Sequence, residues 1–479
     1  MQIYKPGSRN GRVFCKKVVA AVNIQLPEQV SGIIDTLQGA GFDAYAVGGC
    51  VRDSVLGRTP KDWDITTPAK PEEVKALFAR TIDTGIAHGT VTVMIGREGY
   101  EVTTYRIDGE YLDARHPKEV SFTADLTEDL KRRDFTINAM AYNDREGLVD
   151  VFDGLGDLWR GVIRCVGDPT DRFGEDALRM MRAVRFAAVL GFSIEEETFA
   201  AIRVLAPNLK KVSAERIQTE LVRLLVSPHP EHLRTLYESG ITDIVLPEFS
   251  LLMQTPQHNP HHDRSVGEHT ISSVGQISPD PVLRLTMLLH DIAKPLCITT
   301  DAAGVDHYYG HPARGAELAG TILRRLKFDN DTIRRVKALI RAHDDRPLPL
   351  TQRNVRRAVL RNGETLYPDL FAVKRADILA QSTYYQKEKL EYLDEYERIY
   401  REILEANNCL SLKSLAVHGG DLIAAGMKPG RELGIVLQSM LEDVIEEPEL
   451  NKKEILLERW RQGIYTHETG SNPRQAVDC

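Results

Sequence analysis

Short alternating or apolar runs in the first third of the chain give way to helical stripes. Ala44 to Val47 is an apolar run that predicts a strand. It ends at Gly48-Gly49, and Cys50 to Leu56 then has helical character. Lys61 to Thr66 (KDWDIT) alternates, which predicts a strand with Asp62 and Asp64 on one face and Trp63 and Ile65 turned into the core. Tyr100 to Arg106 (YEVTTYR) alternates in the same way. From Glu175 to Leu190 the period is helical, with Asp176, Arg179, Arg182 and Arg185 three apart, and Ala214 to Leu225 (AERIQTELVRLL) is an amphipathic helix. An α/β region therefore extends to about Phe152, and the stretch from Arg160 to about Pro247 reads as helical.

At 479 residues and 42% hydrophobic, the chain is expected to bury several cores and split into three or more domains. It has no apolar run of about eighteen residues and no signal-peptide core, so a soluble, cytoplasmic protein without a membrane partner is expected. The six cysteines are dispersed without C-x-x-C spacing and are expected to be reduced. A net charge of −8 offers nucleic acid no general attraction, so RNA would need local basic surface, which Arg160 to Arg223 can supply. Residues 1–23 read as an extension without a fold signal, and 467–479 as a disordered end.

Two carboxylates on one strand face repel each other unless a divalent cation lies between them. Magnesium, held by one or two carboxylates plus substrate phosphate, is the expected ion for Asp62 and Asp64. Alone, a D-x-D reads more readily as a solvated strand end or a turn. Here GGCVRD precedes it: amides of the Gly48-Gly49 turn and the following helix can hold a triphosphate, with Arg52 adding a charged fork. Glu101 is either a third carboxylate or an ordinary exposed strand residue. Ile107 to Lys118 (IDGEYLDARHPK) reads as a mobile loop.

On the Glu175–Leu190 run, Asp176 and Arg179 are neighbours. A carboxylate only accepts hydrogen bonds and a guanidinium only donates them. Cytosine and adenine present an amino donor beside a ring-nitrogen acceptor, whereas uracil and guanine present an oxygen beside a ring N–H. One Asp with one Arg therefore accepts C and A and rejects U and G. The alternative is a helix face stabilised by ion pairs alone.

Further on, His269, His290-Asp291, His311, His343 and Asp377 are spread over a helical region. Such ligands can hold one or two transition-metal ions. In the last part, GGDLIAAGMKPGRELG places a turn before a helix, either to receive an RNA phosphate or to pack as a helix-turn-helix.

GGCVRD with KDWDI, RRDFTINAMAYN (Arg132 to Asn143) and EDALRMMRAVRF (Glu175 to Phe186) together resemble the bacterial CCA-adding enzymes, class II tRNA nucleotidyltransferases, and their poly(A) polymerase relatives. The resemblance implies an α+β protein. A polymerase-β-like head of mixed sheet and helices would occupy 24–155, a helical neck and body 156–250, and a helical tail 408–466. It implies addition of C, C and A to tRNA 3′ ends from CTP and ATP without a nucleic-acid template. Arg133, Arg182 and Arg185 would face the triphosphate or the primer end, and Asp134 and Asn138 the ribose. The loop at 107–118 has the length found in enzymes that add the terminal A.

The His-Asp pair followed by Lys294-Pro295 resembles the HD phosphohydrolase superfamily, which would place an all-helical HD domain at 258–407. By that resemblance His269, His290, Asp291 and Asp377 form the basic metal set, His311 and His343 support a second ion, and the activity is phosphatase or 2′,3′-cyclic phosphodiesterase. His258, His261 and His262 receive no role, and no obligate protein partner is evident. Two rivals stand beside this reading: an enzyme adding only A or polyadenylating RNA, and an HD hydrolase whose head merely binds RNA.

Overall fold

The computed structural model describes residues 18–19, 22–108, 120–261, 264–406 and 408–465. They fall into two compact units, one formed by Met1–Leu251 with Arg325–Phe328, the other by Leu252–Arg324 with Asp329–Cys479. The calls on residues 1–17, most of the 107–118 loop, His262 and the end from 466 lie outside the described residues.

The first unit is built on an eight-stranded mixed sheet. Its strands are β1 (Val18–Val19), β2 (Tyr45–Val47), β3 (Asp64–Thr67), β4 (Thr81–Gly85), β5 (Thr90–Ile95) and β6 (Glu98–Thr104). Outside the sheet, β7 (Arg106–Asp108) and β8 (Val120–Phe122) form a separate antiparallel ribbon. Strands β9 (Met140–Asn143) and β10 (Gly147–Asp150) complete the sheet, whose order is β1-β10-β9-β2-β3-β6-β5-β4. Only the β3–β6 pair is parallel, and it sets Asp64 beside Glu101. Because strand partners in register project to the same face, this one pairing brings distant acids together. Tyr45, Val47, Tyr105, Leu130 and Val149 pack into a common core that fixes β2 under the glycine turn.

Three local expectations need correction. β3 begins at Asp64, so Asp62 stands on the irregular segment before it, and Trp63 is only partly buried while Ile65 is fully buried. The helix expected from Glu175 is broken: Pro169–Glu175 is one helix, Leu178–Leu190 another, and Asp176 adopts extended angles between them. That carboxylate accepts the amide of Leu178 at 3.0 Å, competing with the helical continuation. The Arg160–Pro247 stretch is helical apart from a short parallel pairing of Val162–Ile163 with Ser193–Ile194.

In the second unit, helices Val266–Gly275, Pro281–Leu289, Asn330–Ala342 and Tyr367–Ala380 pack against one another. It is not wholly helical, because Thr299–Thr300 pairs with Asp306–His307 in an antiparallel ribbon. No described helix is long and apolar enough to cross a membrane.

Candidate active site and second metal centre

Gly48 has φ +85° and ψ −128°, angles that a residue with a β-carbon rarely adopts. A β-carbon there would stand 2.7 Å from Arg133 Nη1. The turn and Arg133 are therefore in close apposition. The Arg133 guanidinium is weakly compensated: its nearest acid, Asp129, is 3.7 Å away, and its buried Nε has no hydrogen-bond partner. Burial pushes its pKa down, against the pull of Asp129 and Asp64. A partly buried cation with an open donor beside a glycine turn is an anion-receiving arrangement.

Asp64 and Glu101 stand side by side on β3 and β6. Burial and the neighbouring Asp62 raise the Asp64 carboxyl while Arg133 lowers it, leaving it above its usual range. Glu101 is raised by burial and by the charges of Asp64 and Asp62. Glu101 is an exposed strand residue in register with Asp64, so both of its readings stand. This mutual repulsion is what a divalent ion relieves. Among the described residues, sets of three ligand groups within 4.8 Å of one another occur only in the second unit. A looser carboxylate set suits magnesium, which keeps waters and substrate phosphate in its shell.

A continuous chain of polar contacts runs from the turn to the Leu178–Leu190 helix. Arg52 Nη1 donates to Asn138 Oδ1 at 2.6 Å, and Asn138 Nδ2 donates to Asp134 Oδ1 at 3.1 Å. Arg182 closes the chain on Asp134 Oδ2. Arg52 also binds Asp53 at 2.8 Å. Asp134 and Asn138 are buried links of this chain. Burial would raise the Asp134 carboxyl, but Arg182, Asn138 and Arg179 outweigh it and hold it down at about 2.

The base-reading pair is placed differently from the simple helix face. Asp176 is bound by Arg216 at 2.7 Å, not by Arg179. Arg179 binds Glu175 at 2.6 Å and the carbonyls of Arg172 and Arg132. Arg185 is paired with buried Glu220 at 2.5 Å and lies 3.8 Å over the Phe186 ring, so its charge is committed within the protein. Sequence reasoning missed Glu220, Arg216 and Asp129. Glu220 had a signal: it falls on the buried stripe with Ile217, Leu221 and Leu224. Asp129, which binds Arg132 at 2.8 Å and Thr66, had none.

In the second unit, five elements bring the expected ligands together. His269 lies within the Val266–Gly275 helix, His290 and Asp291 follow Pro281–Leu289, and His311 opens His311–Arg325. His343 caps Asn330–Ala342, and Asp377 lies on Tyr367–Ala380. Ligand atoms of His269, His290 and Asp291 lie within 4.8 Å of one another, as do those of Asp291, His311 and His343. Asp377 Oδ1 is 2.9 Å from His269 Nε2.

All four rings turn Nδ1 to a backbone carbonyl: Ala380 for His269, Met287 for His290, Tyr308 for His311 and Ile340 for His343. With the proton on Nδ1, the Nε2 lone pairs face inward. They meet in pairs 3.3 Å apart, His269 with His290 and His311 with His343. A cation between two such neutral rings can take a lone pair from each. Asp291 Oδ2 is buried 3.2 Å from His290 Nε2 and 3.6 Å from His269 Nε2, with Lys294 Nζ 2.7 Å away. Without an ion, burial lowers His343 to about 4, while Asp291 and Asp377 override burial and lift His290 to about 10. Asp291 belongs to both sets, and the residues present would fit one divalent ion or two. His258 pairs with Asp306 at 3.0 Å and His261 with Lys389 at 3.1 Å, outside this set.

Family models match the chain in three places: the poly A polymerase head domain over 44–164, a probable RNA and SrmB-binding site of polymerase A over 191–252, and domain 2 of tRNA nucleotidyltransferase over 314–459. The CCA-adding enzyme of Lactiplantibacillus plantarum is 36% identical over 438 residues, covering 91% of this chain and 96% of that protein. The CCA-adding enzyme of Limosilactobacillus fermentum is 36% identical over 431 residues, 90% and 95% of the two chains. The crystal structure of the Bacillus stearothermophilus CCA-adding enzyme in complex with CTP superposes with a TM-score of 0.68 at 30% identity, covering 93% of this chain and all of that one. The chain thus belongs to the family of bacterial CCA-adding enzymes and poly(A) polymerases.

Proposed function

We propose that the protein adds C, C and A to tRNA 3′ ends from CTP and ATP. The observation that carries this reading is the meeting of Asp64 and Glu101 with the under-compensated Arg133 at the Gly48 turn, linked to the arginine-bearing helix through Arg52, Asn138, Asp134 and Arg182. The domain reading follows, with one correction: the head at 24–155 also takes in Val18–Val19 from the expected extension, which pair with β10; the neck and body lie at 156–250, the HD domain at 258–407 and the tail at 408–466.

Magnesium held by Asp62 and Asp64, with Glu101 beside them, supplies activation of the tRNA 3′-hydroxyl and charge relief at the triphosphate. The turn amides and Arg133 hold the phosphates, the hydroxyl gives up its proton to water as its oxygen bonds to the α-phosphorus, and the bond from that phosphorus to the bridging oxygen breaks so that pyrophosphate leaves. Asp176, anchored by Arg216, presents acceptors, and Arg179, anchored by Glu175, presents donors. C or A satisfies both. U or G leaves buried groups unpaired, at about 1–3 kcal/mol each. The test is incorporation of labelled CTP and ATP into tRNA lacking one, two or three terminal residues. Addition of all three nucleotides supports the reading, and addition of A alone replaces it with the A-adding one.

A second activity is favoured by the histidine–aspartate set: hydrolysis of a phosphate ester in the HD domain, by a divalent transition metal held by His269, His290, Asp291 and Asp377 and a second held with His311 and His343. Such a centre supplies an activated water. Buried Lys294, 2.7 Å from Asp291 Oδ2, adds positive charge where a phosphate would lie.

A further inference from the structure

Asp129 is a fully buried carboxylate that ties β3 and β7 to the Arg132-Arg133 pair. Its Oδ1 accepts from Arg132 Nε at 3.1 Å and Nη2 at 2.8 Å, and from the Arg106 amide at the start of β7 at 3.4 Å. Its Oδ2 accepts from Thr66 Oγ1 on β3 at 3.2 Å and lies 3.7 Å from Arg133 Nη2. One negative charge therefore faces two guanidinium groups, and Arg132 takes the closer contacts. Arg133 is tethered rather than neutralised.

Residues two apart on a strand share a face, so Thr66, which bonds to Asp129, projects from the same side of β3 as Asp64. Asp129 and Asp64 both pull on Arg133, as does Asp134. Asp134 is taken up by Arg182, Asn138 and the Phe135 amide, which leaves Asp64 as the competing partner of Arg133. A guanidinium closed on Asp64 would satisfy both charges within the protein. The triphosphate would then lose a cation, and a divalent ion would lose a ligand.

We propose that Asp129 is a positioning residue for nucleotide addition: it holds the Arg133 guanidinium at the Gly48 turn and away from Asp64, so that cation and acid both stay open to the incoming nucleotide and its metal. This rests on the reading of Arg133 as a phosphate ligand above. The neutral amide of Asp129→Asn keeps an acceptor for Thr66 but gives up the hold on Arg133, which then closes on Asp64.

The full-length chain, without tRNA so that nothing turns over, is dialysed to equilibrium against labelled CTP at limiting and at saturating Mg²⁺. At limiting Mg²⁺, Asp129→Asn should raise the Kd for CTP about tenfold, the scale of a strong pairwise coupling. In the Asp64→Asn background, where that acid is no longer there to capture Arg133, the same substitution should change Kd by less than about threefold. Saturating Mg²⁺ should narrow the gap in the wild-type background, because the ion competes with Arg133 for Asp64. A general loss of packing would weaken binding equally in both backgrounds and at both Mg²⁺ levels. That result overturns the proposal, as does an unchanged or lower Kd, and either leaves the nucleotidyl-transfer reading standing. Asp129→Ser repeats the cycle with a smaller neutral side chain if the Asn variant does not fold. A wild-type chain that binds CTP at neither Mg²⁺ level overturns the phosphate reading of Arg133, and the proposal with it.

Discussion

Arg182 donates to a single oxygen of Asp134 from two nitrogens, Nε at 2.8 Å and Nη2 at 2.6 Å, while the other oxygen accepts from Asn138 and from the Phe135 amide. Asp134 is buried and fully engaged, so its removal strands the guanidinium. Asp134→Ala should cost about 3 kcal/mol in urea unfolding and lower nucleotide addition.

The pH dependence of the same pair has a definite sign. The folded carboxyl is held at about 2, below the ordinary value of about 3.9. A depressed carboxylate stabilises fully above its unfolded value and stops doing so as pH falls through the folded one. Thermal melts between pH 4 and 2 should show wild type losing stability that the Asp134→Asn variant has already lost. Parallel curves for the two would contradict the pairing.

Asp64→Asn should abolish nucleotide addition and leave the fold intact. The Asp64 carboxyl is raised, so its charge opposes folding above its folded pKa, and that opposition fades as pH falls through it. Without divalent ions at neutral pH, the variant should melt no lower than wild type. Wild-type addition rates in it would end the assignment.

Gly48→Ala should strain the turn by about 1–3 kcal/mol and displace Arg133, whose Nη1 lies 2.7 Å from the new β-carbon. KM for CTP and ATP should rise together. Arg216→Ala, which frees Asp176, should instead raise misincorporation of U and G, read by sequencing of the extended ends.

Metal content separates the two trios. On the proposed two-ion reading, Asp291→Ala should lose both ions because its carboxylate belongs to both sets, whereas His311→Ala should lose one. Elemental analysis of the purified variants reads the difference.

Legibility followed locality. The glycine turn, β2 and the acids of KDWDI were visible because each depends on spacing within a few residues. The break at Asp176 was not, because the competing Leu178 amide and the anchoring Arg216 lie in geometry that a helical period cannot register. The partners of Arg52 and Arg185 were not visible either, since a charge on a motif shows no partner until Asn138 and Glu220 are folded against it. The histidines of the second unit were found by resemblance, and their convergence depends on five separate elements meeting.

Three of those histidines take their bearing from home. His290, His311 and His343 each address the carbonyl three residues earlier in their own segment, so local winding, rather than any guest, aims the rings. An arriving ion meets a cage already shaped for it. Little of its attraction is consumed in ordering the host, and that favours tight capture over induced assembly.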